Sequence, residues 1–384
     1  VRTAMERLGM FPQNVMVGDA DGHSFYLRAG KTPRRPDGYR WNRPVPGNTS
    51  ASAWLGIHPL ADLVQVMDPV TGYMQNNNIS PDVMYEGSPM TPDRYPAYIF
   101  NDRPGRTSSR GRRAVEALSA ATSFTVEDAV DLALDERWQD WDARREALRR
   151  SVARFPERLA RANAEHRTTL QRLLDFDGNA RAGSVAARAA WYWHDALTAQ
   201  PGGFPLAIFE PALRAADTID AGLGARLLDG VDSAVATMRA KGGLDRTLGD
   251  DFRVGRGGDA SWPVGGVALL ARDMRQCETL VSWSHVCVLT LRAFIPGPAD
   301  SLGRRHAVVG SRLLRLTVFT DPIQSFTAHN YGQSGRPDSP HYDDQASKLT
   351  SERRLKPIWF ERTELEPHVR STTVLEVPEL RQRR

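Results

Sequence analysis

Three consecutive carboxamides, Asn76, Asn77 and Asn78, stand in the stretch DPVTGYMQNNNISP at residues 68–81. Asparagine competes with its own backbone for hydrogen bonds and favours turns over helix or strand interiors, so the triplet reads as a loop. Gly72-Tyr73 before it and Ser80-Pro81 after it punctuate the segment, while Tyr73 and Met74 supply a short apolar step that anchors its start. An anchored polar loop is where a fold presents chemistry. An asparagine amide aimed at a carbonyl oxygen donates to the negative charge that grows there during acyl transfer, and removing one such donor costs roughly 100- to 1000-fold in rate. The plainer reading of the same letters is a solvated Asx-rich turn.

Other constellations carry less. Ser282-Trp283-Ser284-His285 sets hydroxyls beside an imidazole, as a nucleophile and its base require. Neighbouring residues on a strand point to opposite faces, so Ser284 and His285 do not face each other there, and a structural strand is the better account. His341, Asp343 and Asp344 offer nitrogen and oxygen ligands without the spacing of a zinc or calcium loop, which favours a hydrogen-bonded surface loop. Residues 255–258 are rich in glycine, but lack the full phosphate-cradling spacing and a following helix. Two basic runs, Arg103 to Arg113 and a loop with Arg28, Lys31, Arg34, Arg35, Arg40 and Arg43 around Tyr39 and Trp41, have the composition of a nucleic-acid surface. Asp37 and Asp102 sit among them, and 50 Lys+Arg against 46 Asp+Glu leave a net charge of only +4. A solvated or salt-bridged face fits better, so no nucleic-acid partner is expected.

The chain that must position these groups has 384 residues, enough for one large core or two ordinary ones. The two cysteines, Cys277 and Cys287, permit one bridge without requiring it and exclude a disulfide framework. The longest apolar run, near residues 264–271, is far short of a membrane helix. Short β-type runs at residues 15–18 and 23–29 flank an Asp/Gly turn, which is a hairpin signal. Residues 31–50, with four prolines, read as irregular loop, and Trp54 to Ile57 as a brief apolar segment. Residues 1–102 are thus expected to be β-rich. Residues 103–245 read as helical, with starts near Gly111 and at the Thr125/Asp128 capping box, a break at Phe155-Pro156, and further helices over residues 184–199 and 221–239. From residue 246 to 384, strand and turn patterns return, ending near Pro357. A β-rich start, a helical excursion and a β-rich end predict an α+β fold with both ends in one layered body.

The ordered set GDADGHSFYLRAGKTPRR, PVPG, Trp54-Leu55-Gly56, His58-Pro59-Leu60 and DPVTGYMQNNNISP resembles the β chain of the penicillin acylase family. YGQSGRPDSPHYDDQ and RRLKPIWF resemble that family's closing segment. These are N-terminal-nucleophile amidohydrolases, a group that includes acyl-homoserine lactone acylases. The resemblance implies a four-layer αββα body and a precursor that cleaves itself into α and β chains. It implies that a new terminal Ser attacks the acyl carbon while its own α-amine, titrating near about 7.7 to 8.0, serves as base. On that pattern Asn78 is the oxyanion-hole residue, Arg106 the arginine that supports it, and Asn77 and Ile79 border the acyl pocket. Several arginines neighbour Arg106, and Arg103 and Arg110 serve as controls for it on this reading. It further implies an N-acyl amide substrate, a periplasmic or secreted location, and no cofactor for the chemistry, with structural calcium among the family's features and its ligands unassigned here. Val1 carries no nucleophile, so the expected partners are the α chain and the amino-terminal part of the β chain of the same precursor; the alternative is a truncated, inactive relative serving as a binding or assembly module.

Overall fold

The computed structural model describes residues 2–7, 9, 11–205, 209, 219–257, 260–270 and 286–375. The Ser282 to His285 group and Cys277 lie outside the described residues.

Strands β1 (Gln13–Gly18) and β2 (Ser24–Ala29) pair antiparallel across the Asp/Gly turn, with Val17 opposite Phe25 and Val15 opposite Leu27. A short strand β3 (Gln65–Met67) pairs with the other edge of β2. Phe25 and Leu27 bury their side chains with Leu60, Leu63 and Val64, and with Ile79, Met84, Tyr85, Met90, Ile99 and Phe100 from the segment that follows the Asn loop. Residues 1–102 are therefore less strand-rich than their patterning suggested, and most of the stretch is turn and loop packed on a small sheet. Trp54 and Leu55, expected in an apolar segment, are 65% and 64% exposed; the backbone there pairs with residues 32–34 through a bridge from Ile57 to Pro33 and a bond from the Leu55 amide to the Arg34 carbonyl at 2.8 Å.

The helices follow: α1 (Ser109–Ala120), α2 (Val126–Ala133), α3 (Trp141–Arg154), α4 (Pro156–Arg161), α5 (Ala164–Asp175), α6 (Val185–Ala199) and α7 (Ala221–Ala240). Local chemistry sets their ends. Thr125 and Asp128 form the reciprocal capping box, Ser184 caps α6, and Pro156 opens α4 at a position where its missing N–H is harmless. Helix α6 is buried on most of its circumference, and its WYW run sets Trp191 and Trp193 into the core beside Trp138 and Trp141, each 2% exposed or less. Gly230 on α7 admits this crowding, because a Cβ there would lie 2.7 Å from a Leu197 methyl and 3.1 Å from the Trp193 nitrogen.

A four-stranded sheet in the order β5-β4-β7-β6 lies against these helices: β4 (Phe252–Gly257), β5 (Ala260–Pro263), β6 (Phe294–Ala299) and β7 (Arg305–Gly310). The Phe252 and Trp191 rings are 4.7 Å apart. The glycines at 255–257 are thus part of a bulged antiparallel pair and not a phosphate loop. A second sheet joins β8 (Leu313–Val318), β9 (Gln324–His329) and β10 (Lys356–Ile358). Among the described residues, strands from the two ends of the chain lie in separate sheets and bury separate cores.

The helical core holds one buried ion pair whose groups are all engaged. Arg188 Nε donates to Asp251 Oδ2 at 2.6 Å, its two Nη groups donate to the carbonyls of Gly243 and Lys241, and the Tyr192 hydroxyl donates to the same carboxylate at 2.9 Å. Removing one partner of such a pair strands the other charge in a low dielectric. Asp251→Ala is expected to destabilise the protein by about 3–5 kcal/mol, read from the urea unfolding midpoint; an unmoved midpoint would show that the guanidinium is satisfied without its carboxylate.

Candidate active site

The Asn loop grows from the end of β3. Asp68, in the left-handed region at φ 48°, accepts from the Ser24 amide and lies against His23 Nδ1, both at 2.8 Å, and this closes the corner of the first sheet. Gly72 turns back onto Pro69, and Tyr73 and Met74 pack on the amino-terminal core. The triplet then bonds to itself: Asn77 Nδ2 donates to Gln75 Oε1 at 2.8 Å, and the Asn78 amide donates to Asn76 Oδ1 at 2.9 Å. That second bond is an Asx turn, and it carries Asn78 to φ 59°, a conformation asparagine tolerates better than other branched or bulky residues. Asn78 is exposed, whereas Gln75 before it and Ile79 and Ser80 after it are buried. The loop is a peg fixed on both sides with one carboxamide outward.

Its backing is a chain of ionic contacts that starts on the sheet. Arg28 on β2 donates through Nη1 to the Phe100 carbonyl and through Nη2 to Asp102 Oδ2 at 3.3 Å. Arg106 grips the same carboxylate with two bonds, Nε to Oδ1 at 2.8 Å and Nη2 to Oδ2 at 3.0 Å. Burial pulls the Asp102 carboxyl upward, but the bonds and charges of Arg106 and Arg28 prevail and hold it below the usual carboxylate range. The remaining nitrogen of Arg106, Nη1, donates to the Asn78 carbonyl at 2.8 Å, and the Arg106 carbonyl accepts from the Ser80 amide at 2.8 Å. Arg110, in the first turn of α1, donates through Nη2 to Asn78 Oδ1 at 3.1 Å and reaches the Asn77 carbonyl at 3.4 Å.

Arg106 therefore meets Asn78 through the backbone, and Asn77 lies half-buried beside it. Ile79 is 2% exposed with its branched side chain turned inward, where it anchors the loop from behind. Ser108 caps α1 by accepting from the Gly111 amide, and Gly111 lets that helix press against Ile79, since a Cβ there would lie 2.8 Å from the Ile79 methyl. Arg110, named as a control for Arg106, touches Asn78 directly, and Asp102 joins Arg28 to Arg106. The signal for Arg110 was available in the sequence: the first turn of α1 carries arginines and no acid, against the direction that a helix dipole favours, so a cation there needs acceptors from elsewhere.

Arg35 and Arg113 from the two basic runs are engaged within the chain. Arg35 lies over the rings of Trp41 and Tyr98 at 5.2 and 5.3 Å, in a cleft of about 850 Å3 that Asp102 also lines, and Arg113 is bound to Asp135 at 2.7 Å. His341 and Asp344 form a surface pair at 3.1 Å. Among the described residues no group of three or more His, Cys, Asp or Glu side chains is arranged to hold a metal ion.

The fold is similar to that of a thermostable penicillin G acylase from Alcaligenes faecalis, with a TM-score of 0.53 at 17% identity over 96% of this chain and 68% of that one. It is the α+β fold of an N-terminal-nucleophile hydrolase. The family model described as penicillin amidase matches residues 1–367, and the chain belongs to that family. A curated relative, the penicillin acylase 2 proenzyme of Pseudomonas sp. (strain SE83), is 29% identical over 193 residues. That match covers 50% of this chain but only 22% of the proenzyme.

The close approach of α1 to the loop is testable. Gly111→Val is expected to force Ile79 out of its seat, with a loss of about 1–3 kcal/mol in stability. Hydrogen exchange would register it as faster exchange at the Ser80 amide, and unchanged protection there would show that helix and loop are not coupled by packing.

Proposed function

We propose that this chain is part of an acylase that hydrolyses the amide bond of an N-acylated small molecule. The observation that carries the reading is the Asn78 carboxamide itself. Its carbonyl oxygen is occupied by a guanidinium, while its Nδ2 has no protein acceptor among the described residues and stands on the exposed side of a loop fixed at both ends. A pre-oriented donor of this kind stabilises the tetrahedral oxyanion of acyl transfer, since it needs no rearrangement as charge develops. Arg106 supports it by holding the loop backbone, with Asn77 and Ile79 shaping the loop on either side.

The nucleophile in this reading is a terminal Ser from another segment of the same precursor, with its α-amine as base. Membership of the penicillin amidase family, and a relative that is a proenzyme, support that division. So do the exposed apolar residues Trp54, Leu55 and Ile57, close together in the chain, which offer a covering segment a surface to bury. The reading takes in penicillins, acyl-homoserine lactones and related N-acyl amines as substrates and a periplasmic or secreted location, and membership of the penicillin amidase family supports both.

In the enzyme assembled from its full precursor, Asn78→Ala is expected to lower kcat for an acyl amide by roughly 100-fold or more without loss of folding. Arg106→Ala, which releases the loop backbone, should lower it by about tenfold, whereas Arg103→Ala stays within about twofold. An Asn78→Ala enzyme with the wild-type rate would remove this residue from the site and the reading with it.

A further inference from the structure

We propose that the cavity between α3, α4, α5 and α7 is a binding site for a medium-chain carboxylate, with the apolar tail inside and the head at Arg161. Its floor belongs to the helical core, whereas the Asn loop packs on the amino-terminal core, and the proposal stands whether or not the acylase reading does.

The cavity follows from how these helices are broken. Phe155, at φ −125° and ψ 57°, leaves the helical region before Pro156, so α4 does not continue the line of α3. Gly224 lets α7 come close to this corner, since a Cβ there would lie 3.2 Å from the Phe155 ring and 3.4 Å from Ser151 Oγ. One turn farther along α7, past Leu228, the helices part around a cavity of about 350 Å3. Small-molecule sites run from about 300 to 1,000 Å3, so this one takes a single short chain.

Its interior is apolar. Leu170, Leu228 and Val231 form a floor that is 8%, 7% and 3% exposed. Val152, Phe155 and Leu159 line the walls and pack on the same core, yet they stay half-buried. Each methylene moved from water onto such a surface favours the bound state by about fourfold. A flexible unbranched chain fits that lining.

The mouth selects the head group. Arg158 donates to Asp232 Oδ2 at 2.8 Å and is paired with Asp229 at 2.8 Å, which straps α4 to α7. His166 lies against Asn163 Oδ1 through Nδ1 at 2.7 Å and faces Asp232 through Nε2 at 3.4 Å. These polar groups are spent on one another. Arg161, exposed at the end of α4, has no acceptor among the described residues. Two guanidinium groups therefore line the mouth against one carboxylate, and that carboxylate is already committed. A cationic head would be repelled there. A carboxylate matches the planar donor fork of Arg161 and accepts from it without breaking any pair at the rim.

Two measurements on the full-length protein test this. Photolabelling with a diazirine analogue of octanoate is expected to modify residues within 152–170 or 228–232, and excess octanoate should suppress it. Adducts confined to the Asn loop would place the acid in the acylase site instead and overturn the proposal, as would the absence of adducts. In calorimetric titrations octanoate is expected to bind about tenfold more tightly than hexanoate, as two more buried methylenes require, and about tenfold more tightly than octylammonium. Arg161→Met should weaken octanoate binding by about fivefold or more and Arg161→Lys should keep most of it. Leu159→Gln, at a half-buried position outside the packed floor, should weaken it by about tenfold. Equal affinity for the two acids, equal affinity for acid and amine, or wild-type affinity in both Arg161→Met and Leu159→Gln overturns it.

Discussion

The carboxylate of Asp102 is the fixed point of the amino-terminal half. It accepts from Arg28 on the central strand of the first sheet and, with both oxygens, from Arg106, so that one side chain ties the sheet to the segment gripping the Asn loop. Each link is charge-assisted and only partly exposed, which makes it stronger than a fully solvated surface ion pair. Without that acceptor two guanidinium groups would lose their common partner, and the grip of Arg106 on the Asn78 carbonyl would lose its backing. The position of one exposed amide is thus set by a buried acid that it never touches.

The elements of the fold were largely legible in the sequence because their signals are local. Ser184, Thr125 with Asp128, and Pro156 mark helix starts through bonds made within one turn, and the Asp/Gly turn at residues 19–22 sets the first hairpin. What patterning could not convey was how little strand the first hundred residues hold. Apolar residues such as Met84, Tyr85, Met90, Ile99 and Phe100 are spaced for burial, yet they reach the core from turns, where burial does not require a ladder.

The site was legible at one level and hidden at another. Asn76, Asn77 and Asn78 announce a loop by residue type, and the resemblance to penicillin acylases singled out Asn78 and Arg106. The partners of Arg106 and Arg110 could not be read in this way, since five arginines lie within residues 103–113 and their choice of acceptor depends on the direction of α1. That direction depends in turn on Gly111, whose missing side chain leaves room for Ile79. A glycine inside a helix is usually read as a weakness; here it brings a helix end to within bonding distance of the loop.

The inward turn of Ile79 bears on chemical lifetime as well as on shape. Exposed asparagines age by closure of a succinimide ring, in which the backbone nitrogen of the next residue attacks the side-chain carbonyl. Here that next residue is β-branched, and its side chain is wedged against α1, so its nitrogen cannot swing toward Asn78 without unseating the packing behind it. The same contact that seats the loop also slows conversion of the amide into a carboxylate, the one change that would replace a donor with a negative charge.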